Sequence, residues 1–196
     1  MRVIAGSARG RRIVAPPGFD VRPTSDRVRQ ATFNALVHRG AVEEARVLDL
    51  FAGSGSLGIE ALSRGAGHVT FVESNRVAHA CILDNIDHLG FAAQATVLRS
   101  DAPRWVAAMR DQVDLVFADP PYSFDEWKPL LAALHPMLAH DALVVMETGS
   151  VPEIGEEWTI VRQQRYGATV VTLLARTVVS ASETQNLFSL PESSDA

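Results

Sequence analysis

Cysteine is almost absent: Cys81 stands alone among 196 residues, so neither a disulfide framework nor a clustered thiolate metal site can form within one chain. A lone thiol inside a helical pattern reads as a small buried apolar side chain. The six histidines show no paired ligand spacing, with His68, His79 and His88 scattered among helix and strand patterns, and no metal is expected. No apolar run is long enough to span a bilayer. Arg2 is followed by Arg9, Arg11 and Arg12 without the continuous apolar core of a secretory signal, so a cytoplasmic protein without membrane contact is expected. Positive charge is also in deficit. Lys and Arg number 18 against 23 Asp and Glu, a net −5, which at first argues against a nucleic-acid partner.

The average hides an asymmetry. Residues 1–39 hold eight arginines against Asp20 and Asp26, or +6, whereas the rest of the chain has 10 basic and 21 acidic residues, or −11. A basic arm on an acidic body suggests a surface that faces phosphates. The apolar share of 47% and the charged share of 21% are ordinary for a globular protein, and the length fits one domain with a full sheet.

Two short β runs, Arg2 to Ala5 and Arg11 to Ala15, are separated by a Gly6 to Gly10 segment that can close a hairpin, which reads as an appendage. Pro16, Pro17 and Gly18 then break regular structure, and a second turn region ends near Pro23. Ser25 can cap a helix with Val28, Ala31, Ala35 and Leu36 at helical spacing, placing Arg22, Arg27 and Arg29 close together. From Arg46 onward short apolar runs alternate with helical patterns: strands at 47–51, 68–72, 96–99, 113–118 and 142–147, and helices from Leu57, Asn75, Ala102 and about Asp125. Continuous apolar strands in this order predict a parallel sheet covered on both faces. Residues 158–166 and 169–175 flank Gly167 and predict a hairpin that finishes the sheet with an antiparallel edge. The serine-rich, acidic stretch after Val178 is expected to be a disordered tail.

After the first strand, Asp49-Leu-Phe-Ala-Gly53-Ser-Gly55-Ser-Leu-Gly58 forms a G-x-G-x-x-G turn entering a helix. Gly53 and Gly55 allow backbone conformations and a close ligand approach that a Cβ would block, and Gly58 lets the helix pack near a strand. Glu73 ends the second strand, 20 residues after Gly53, where a carboxylate can accept from both ribose hydroxyls of an adenosine. NAD and S-adenosylmethionine share that ribose. Asp49 separates them, because an acid inside the strand end is ill placed beside a pyrophosphate and well suited to the cationic methionine end of S-adenosylmethionine. Asp101 can bind the adenine amino group, with Ala102 lending its N–H, and can equally cap a helix.

Asp119-Pro120-Pro121-Tyr122 follows the fourth strand. Two prolines stiffen the turn and leave carbonyl acceptors at the carboxyl edge, where open α/β sheets bind ligands. An exocyclic amine on a base is a poor nucleophile because its lone pair is delocalised into the ring. Asp119 and the Pro120 carbonyl can accept the two amine hydrogens, and Tyr122 can stack on the base. Cys81 lies in a helix away from any strand end, which disfavours carbon-5 pyrimidine chemistry.

Taken together, Arg2 to Gly6, Arg9 to Arg12, Arg22 to Arg29, Phe33-Asn34, Asp49 to Gly58 and Asp119 to Tyr122 make the chain resemble, over nearly its whole length, the bacterial small-subunit ribosomal RNA guanine-N2 methyltransferase family. The resemblance implies a Rossmann-like class I methyltransferase fold of α/β class. Its seven-stranded, mostly parallel sheet would have an antiparallel last strand, helices on both faces and an N-terminal β-hairpin extension. The expected division is 1–20 for the extension, 21–178 for the methyltransferase domain and 179–196 for the tail. It implies methyl transfer from S-adenosylmethionine to the 2-amino group of one guanine in 16S ribosomal RNA, within the small subunit or its assembly intermediate, by a monomer. Carried over by position, Asp49, Phe51, Ala52, Gly53, Gly55, Gly58, Glu73, Ser74, Asp101 and Ala102 resemble the cofactor set. Asp119, Pro120, Pro121 and Tyr122 resemble the catalytic set. Arg9, Arg11, Arg12, Arg22, Thr24, Asp26, Arg27, Arg29 and Asn34 resemble the RNA-facing set. Three rivals stand beside this reading: an adenine-N6 methyltransferase acting on DNA or RNA, an NAD-dependent dehydrogenase, and an RNA-binding module with a vestigial pocket.

Overall fold

The computed structural model describes residues 1–17 and 26–177. Its centre is one seven-stranded sheet in the order β3-β2-β1-β4-β5-β7-β6, built from β1 (Arg46–Leu50), β2 (His68–Val72), β3 (Ala95–Leu98), β4 (Val113–Ala118), β5 (Leu138–Thr148), β6 (Trp158–Tyr166) and β7 (Thr169–Arg176). Strands β1 to β5 pair in parallel, and β7 runs antiparallel to both β5 and β6. The chain starts in the middle, moves outward through β2 and β3, then returns to lay β4 on the other side of β1. The crossovers on either side of β1 lead away in opposite directions, which opens a crevice above its carboxyl end.

Alternation along the strands sorts the core into two layers. Val47, Phe71, Leu115, Phe117 and Val145 face α1 (Asp26–Val37), α2 (Ser56–Ser63) and α3 (Arg76–Leu89), meeting Phe33, Leu36, Ile59 and Ile82. Leu48, Leu50, Val116 and Val144 face α4 (Ala102–Ala108) and α5 (Trp127–Leu134), meeting Val106, Leu130 and Leu134. Gly58 is where helix and sheet approach closely: a Cβ there would stand 2.3 Å from the Phe71 ring. Asn75 starts α3 by accepting from the N–H groups of Val77 and Ala78, and Gly90, at φ 81°, ends it.

Two sequence expectations change. The fifth strand begins at Leu138 rather than Ala142, because His140 and Asp141 interrupt the apolar run yet sit exposed on the strand's uncovered start. The terminal hairpin forms and finishes the sheet with an antiparallel edge as expected; β7 lies between β5 and β6, so the edge strand is β6. Residues 162–165 of β6, Arg-Gln-Gln-Arg, are exposed while Thr169 to Leu174 of β7 are buried, and a charged, polar strand is the one suited to an open edge.

The N-terminal arm is the second change. It turns back on itself as expected, with an antiparallel bridge between Arg2 and Arg12 and Val3 N–H donating to the Arg11 carbonyl, but without regular strands. It is not an appendage. Val3, Ala8 and Ile13 are buried in the main core, and a Cβ at Gly6 would lie 1.6 Å from the Ser63 carbonyl oxygen. The fully buried Glu60 ties the arm down by accepting from Ile4 N–H at 2.8 Å and Ala5 N–H at 3.0 Å. The same carboxylate pairs with Arg64 at 2.7 Å and Arg29 at 3.7 Å. Ser25 and the tail beyond Thr177 lie outside the described residues.

Removing one partner of a buried ion pair leaves the other charges uncompensated. We expect Glu60→Ala to lower unfolding free energy by about 3–5 kcal/mol in urea titrations; a loss below about 1 kcal/mol would show that the arm is held by apolar packing alone.

Candidate functional site

Above the carboxyl ends of β1 to β5 lies a cleft of about 370 Å³. Each of five consecutive strands ends in it: Asp49 and the following loop, Glu73, Ser100 with Asp101, Asp119, and Glu147. The expected cofactor residues Asp49, Phe51, Ala52, Gly53, Glu73, Ser74, Asp101 and Ala102 all line this one space. Gly55 and Gly58 do not. They act behind the wall, Gly55 as the left-handed residue at φ 76° that starts α2 and Gly58 as the contact with Phe71.

The first loop is shaped by backbone N–H groups meeting strand-end acids. Glu73 accepts from Gly53 N–H at 2.8 Å and from Asn75 N–H at 2.7 Å, fixing the loop and the entry to α3 together. Asp49 reaches beneath the loop to accept from Gly58 N–H at 2.9 Å. Gly53 at φ 56° is left-handed, and so is Phe51 at φ 57°, a conformation that costs a side-chain-bearing residue about 1 kcal/mol or more. The Phe51 ring packs edge-on against Phe124, 5.1 Å away, which in turn meets Trp127 at 5.2 Å. This aromatic ladder couples the first loop to the segment after Tyr122.

Charge on the cleft floor is of one sign near Asp49. That residue is 2% exposed, and its pKa is pushed up to about 8, first by burial and then by Asp119 and Glu73, against the opposing Gly58 N–H. A cationic ligand group placed beside it would relieve this penalty. Asp101 takes the bland role and remains available for the other: its side chain caps α4 by accepting from Arg104 N–H at 3.1 Å, and it still lines the cleft.

At the end of β4, Asp119 is half-buried, Pro120 is buried and Tyr122 is exposed. A second cavity of about 290 Å³, lined by Pro120, Tyr122, Phe124 and Trp127 among others, adjoins the first. Pro121 and Glu147 line both. Tyr122 and Gly53 therefore serve neighbouring spaces on one edge of the sheet. The Tyr122 ring lies against Gly149, where a Cβ would come within 3.4 Å of it, and its hydroxyl is 3.4 Å from the Thr169 hydroxyl. The turn closes with Phe124 N–H donating to the Pro121 carbonyl at 2.9 Å.

The basic residues divide. Arg9, Arg12 and Arg27 are exposed, as are Asp26 and Asn34, the latter accepting from Gln30. Arg11 is exposed as well, and its guanidinium donates to the carbonyls of Leu89 and His88 at the end of α3. Arg29 is 4% exposed, donates to Asp26 and the Arg2 carbonyl, and borders the cleft rather than the outer surface. Arg22 and Thr24 lie outside the described residues. Met1, Ala15 and Pro16 form part of the cleft wall, which the sequence did not suggest. Glu147 was also missed, although an acid closing the apolar run 142–146 repeats the pattern of Asp49, Glu73 and Asp119. Among the described residues no group of three or more His, Cys, Asp or Glu could hold a metal ion.

An acid whose folded pKa lies above its unfolded value keeps a proton that the unfolded chain releases, so stability falls as pH rises from about 4 to about 8. Asp49→Asn removes this slope while its amide oxygen can still accept from Gly58. We expect the ligand-free variant to exceed the wild type in unfolding free energy at pH 9 by more than about 1 kcal/mol, with the gap closing toward pH 4; a gap independent of pH would contradict the burial of an ionisable acid here.

A family model described as "Conserved hypothetical protein 95" matches residues 1–175. Ribosomal RNA small subunit methyltransferase D of Escherichia coli (strain K12) is 33% identical over 188 residues, covering 93% of this chain and 93% of that protein. The protein of the same name from Haemophilus influenzae is 34% identical over 174 residues, covering 85% and 89%. A solved structure of the Escherichia coli protein yhhF superposes with a TM-score of 0.81 at 34% identity, covering 90% of this chain and 97% of that one. With the class I methyltransferase architecture, a model match over most of its length and relatives covered nearly end to end, the chain belongs to the Conserved hypothetical protein 95 family, alongside ribosomal RNA small subunit methyltransferase D.

Proposed function

We propose that the chain is an S-adenosylmethionine-dependent methyltransferase that modifies the exocyclic 2-amino group of a guanine in 16S ribosomal RNA. The observation that carries this reading is the junction of two cavities at Asp119 to Tyr122, one floored by strand-end acids and the other flanked by an exposed aromatic ring. The names of its relatives, small-subunit ribosomal RNA methyltransferases, support the RNA substrate.

The donor set fits the cofactor. When bound, S-adenosylmethionine supplies a methyl group on a sulfonium. Glu73 has lone pairs beyond those given to Gly53 and Asn75 for two ribose hydroxyls, Asp49 offers negative charge to the cationic end, and Asp101 with Ala102 serves the adenine edge. Asp119 and the Pro120 carbonyl take the two amine hydrogens, so that the nitrogen lone pair is turned from the ring toward the first cavity. Tyr122, 56% exposed, stacks on a base that has left its own stack, worth about 1–3 kcal/mol. The surplus proton passes to Asp119 or water.

One chain builds the whole cleft, so a monomer suffices, and ribosomal particles in the cytoplasm are the setting. Arg9, Arg12 and Arg27, three exposed members of the basic set, face RNA phosphates. No helix among the described residues is long and apolar enough to cross a membrane.

Small ribosomal particles methylated with labelled cofactor should yield labelled N2-methylguanosine on digestion; N6-methyladenosine would reject the choice of base. Asp119→Ala should reduce transfer about a hundredfold or more with S-adenosylhomocysteine affinity nearly unchanged, and an active variant would reject the amine-orienting role. Replacing Arg9, Arg12 and Arg27 by Gln should flatten the slope of log binding constant against log salt by roughly 0.7–0.9 for each phosphate that an arginine no longer neutralises. An unchanged slope would remove the arm from the RNA surface.

A further inference from the structure

Glu147 has no part in the amine-orienting chemistry, yet it stands at the point where the two cavities meet. In the parallel β4–β5 ladder Ala118 is level with Met146, so the next residues, Asp119 and Glu147, leave adjacent strands side by side. Period-two alternation puts both on the face that carries Phe117 and Val145. On its other side the Glu147 backbone is paired with Val171 of β7. The residue is 5% exposed, so a carboxylate is held almost out of water on a strand paired on both sides, bordering both the space assigned to the donor and the space assigned to the base.

Buried carboxylate oxygens require N–H or O–H partners, and because an acid accepts up to about four, partners within the protein leave capacity for a ligand. The two purines differ where this matters. Guanine carries an N1–H donor directly beside its 2-amino group, whereas adenine has a bare N1 acceptor beside its 6-amino group. A carboxylate next to Asp119 therefore meets a donor in one case and a lone pair in the other, attraction for guanine and repulsion for adenine.

We propose that Glu147 is the specificity-determining residue of the base cavity, accepting the N1–H of guanine while Asp119 and the Pro120 carbonyl hold its amino group. This deepens, and rests on, the assignment of guanine as the target. It explains how an Asp-Pro-Pro-Tyr turn, which suits any planar exocyclic amine, is confined to one purine.

The test uses the full chain and small ribosomal particles in which the guanine methylated by the wild type is replaced by 2-aminopurine, which keeps the 2-amino group and lacks N1–H. In kcat/KM the wild type should favour guanine over 2-aminopurine by about tenfold or more, the scale of one good base-edge contact. In Glu147→Gln, whose amide can either donate or accept, that preference should shrink toward equality, while calorimetric affinity for S-adenosylhomocysteine stays at the wild-type value. A wild type that accepts both bases equally overturns the proposal without any variant, and so does a Glu147→Gln protein that keeps the full preference. Label on an atom other than guanine N2 in wild-type reactions would instead bring down the functional assignment itself, a result distinct from normal N2-methylguanosine with unaltered preference.

Discussion

Carboxylates at the ends of neighbouring strands grip backbone N–H groups, and the shape of the cleft follows from that grip. Glu73 holds Gly53 and Asn75, and Asp49 holds Gly58. Because Asp49 sits on β1 and Glu73 directly follows β2, strands that pair in register up to Leu50 and Val72, the loop between β1 and α2 is anchored to both. The left-handed turns at Gly53 and Phe51 are sustained by these anchors and by the Phe51–Phe124 contact. The same arrangement concentrates negative charge. Asp49 would be ionised in water at neutral pH, and inside the cleft it resists ionisation, so the ligand-free fold carries a penalty that a cationic ligand removes. Binding site and instability have one origin.

A second set of constraints joins the arm to the cleft. Glu60 receives two N–H groups of the arm and the charges of Arg29 and Arg64. Asn85 braces the same region from α3, accepting from Val14 N–H and donating to the carbonyls of Val14 and Ser54. Arm, first loop and α3 are thus joined by one set of hydrogen bonds. Arg9 and Arg12, exposed on the arm, sit on a support that also walls the cleft.

Much of this was legible in the sequence because the signals were local. Apolar runs closed by acids marked β2 and β4, and one carrying Asp49 marked β1; the glycine spacing marked the loop; and Asp119 to Tyr122 stand where the two cavities adjoin. What was not legible depended on long-range pairing. Arg29 sits in a helical pattern that reads as solvent-facing, and only the fold brings Glu60 against it, 31 residues away. Arg11 looks like part of a basic surface until α3 ends beside it. Which hairpin strand joins β5 could not be read from the hairpin alone; the polar run 162–165 was the available clue to β6 as the edge. Asp101 carried two readings from the start; the structure shows the helix cap, with the residue also lining the cleft.

The central claim is that one edge of the sheet holds the methyl donor against a base. A crystal structure with S-adenosylhomocysteine bears on it most directly. The expected result is a ribose whose hydroxyls contact Glu73 and a sulfur that faces Asp119 and Pro120 across the junction of the cavities. A ligand seated elsewhere, or one in this cleft with its sulfur turned away from the Asp119 turn, would contradict it.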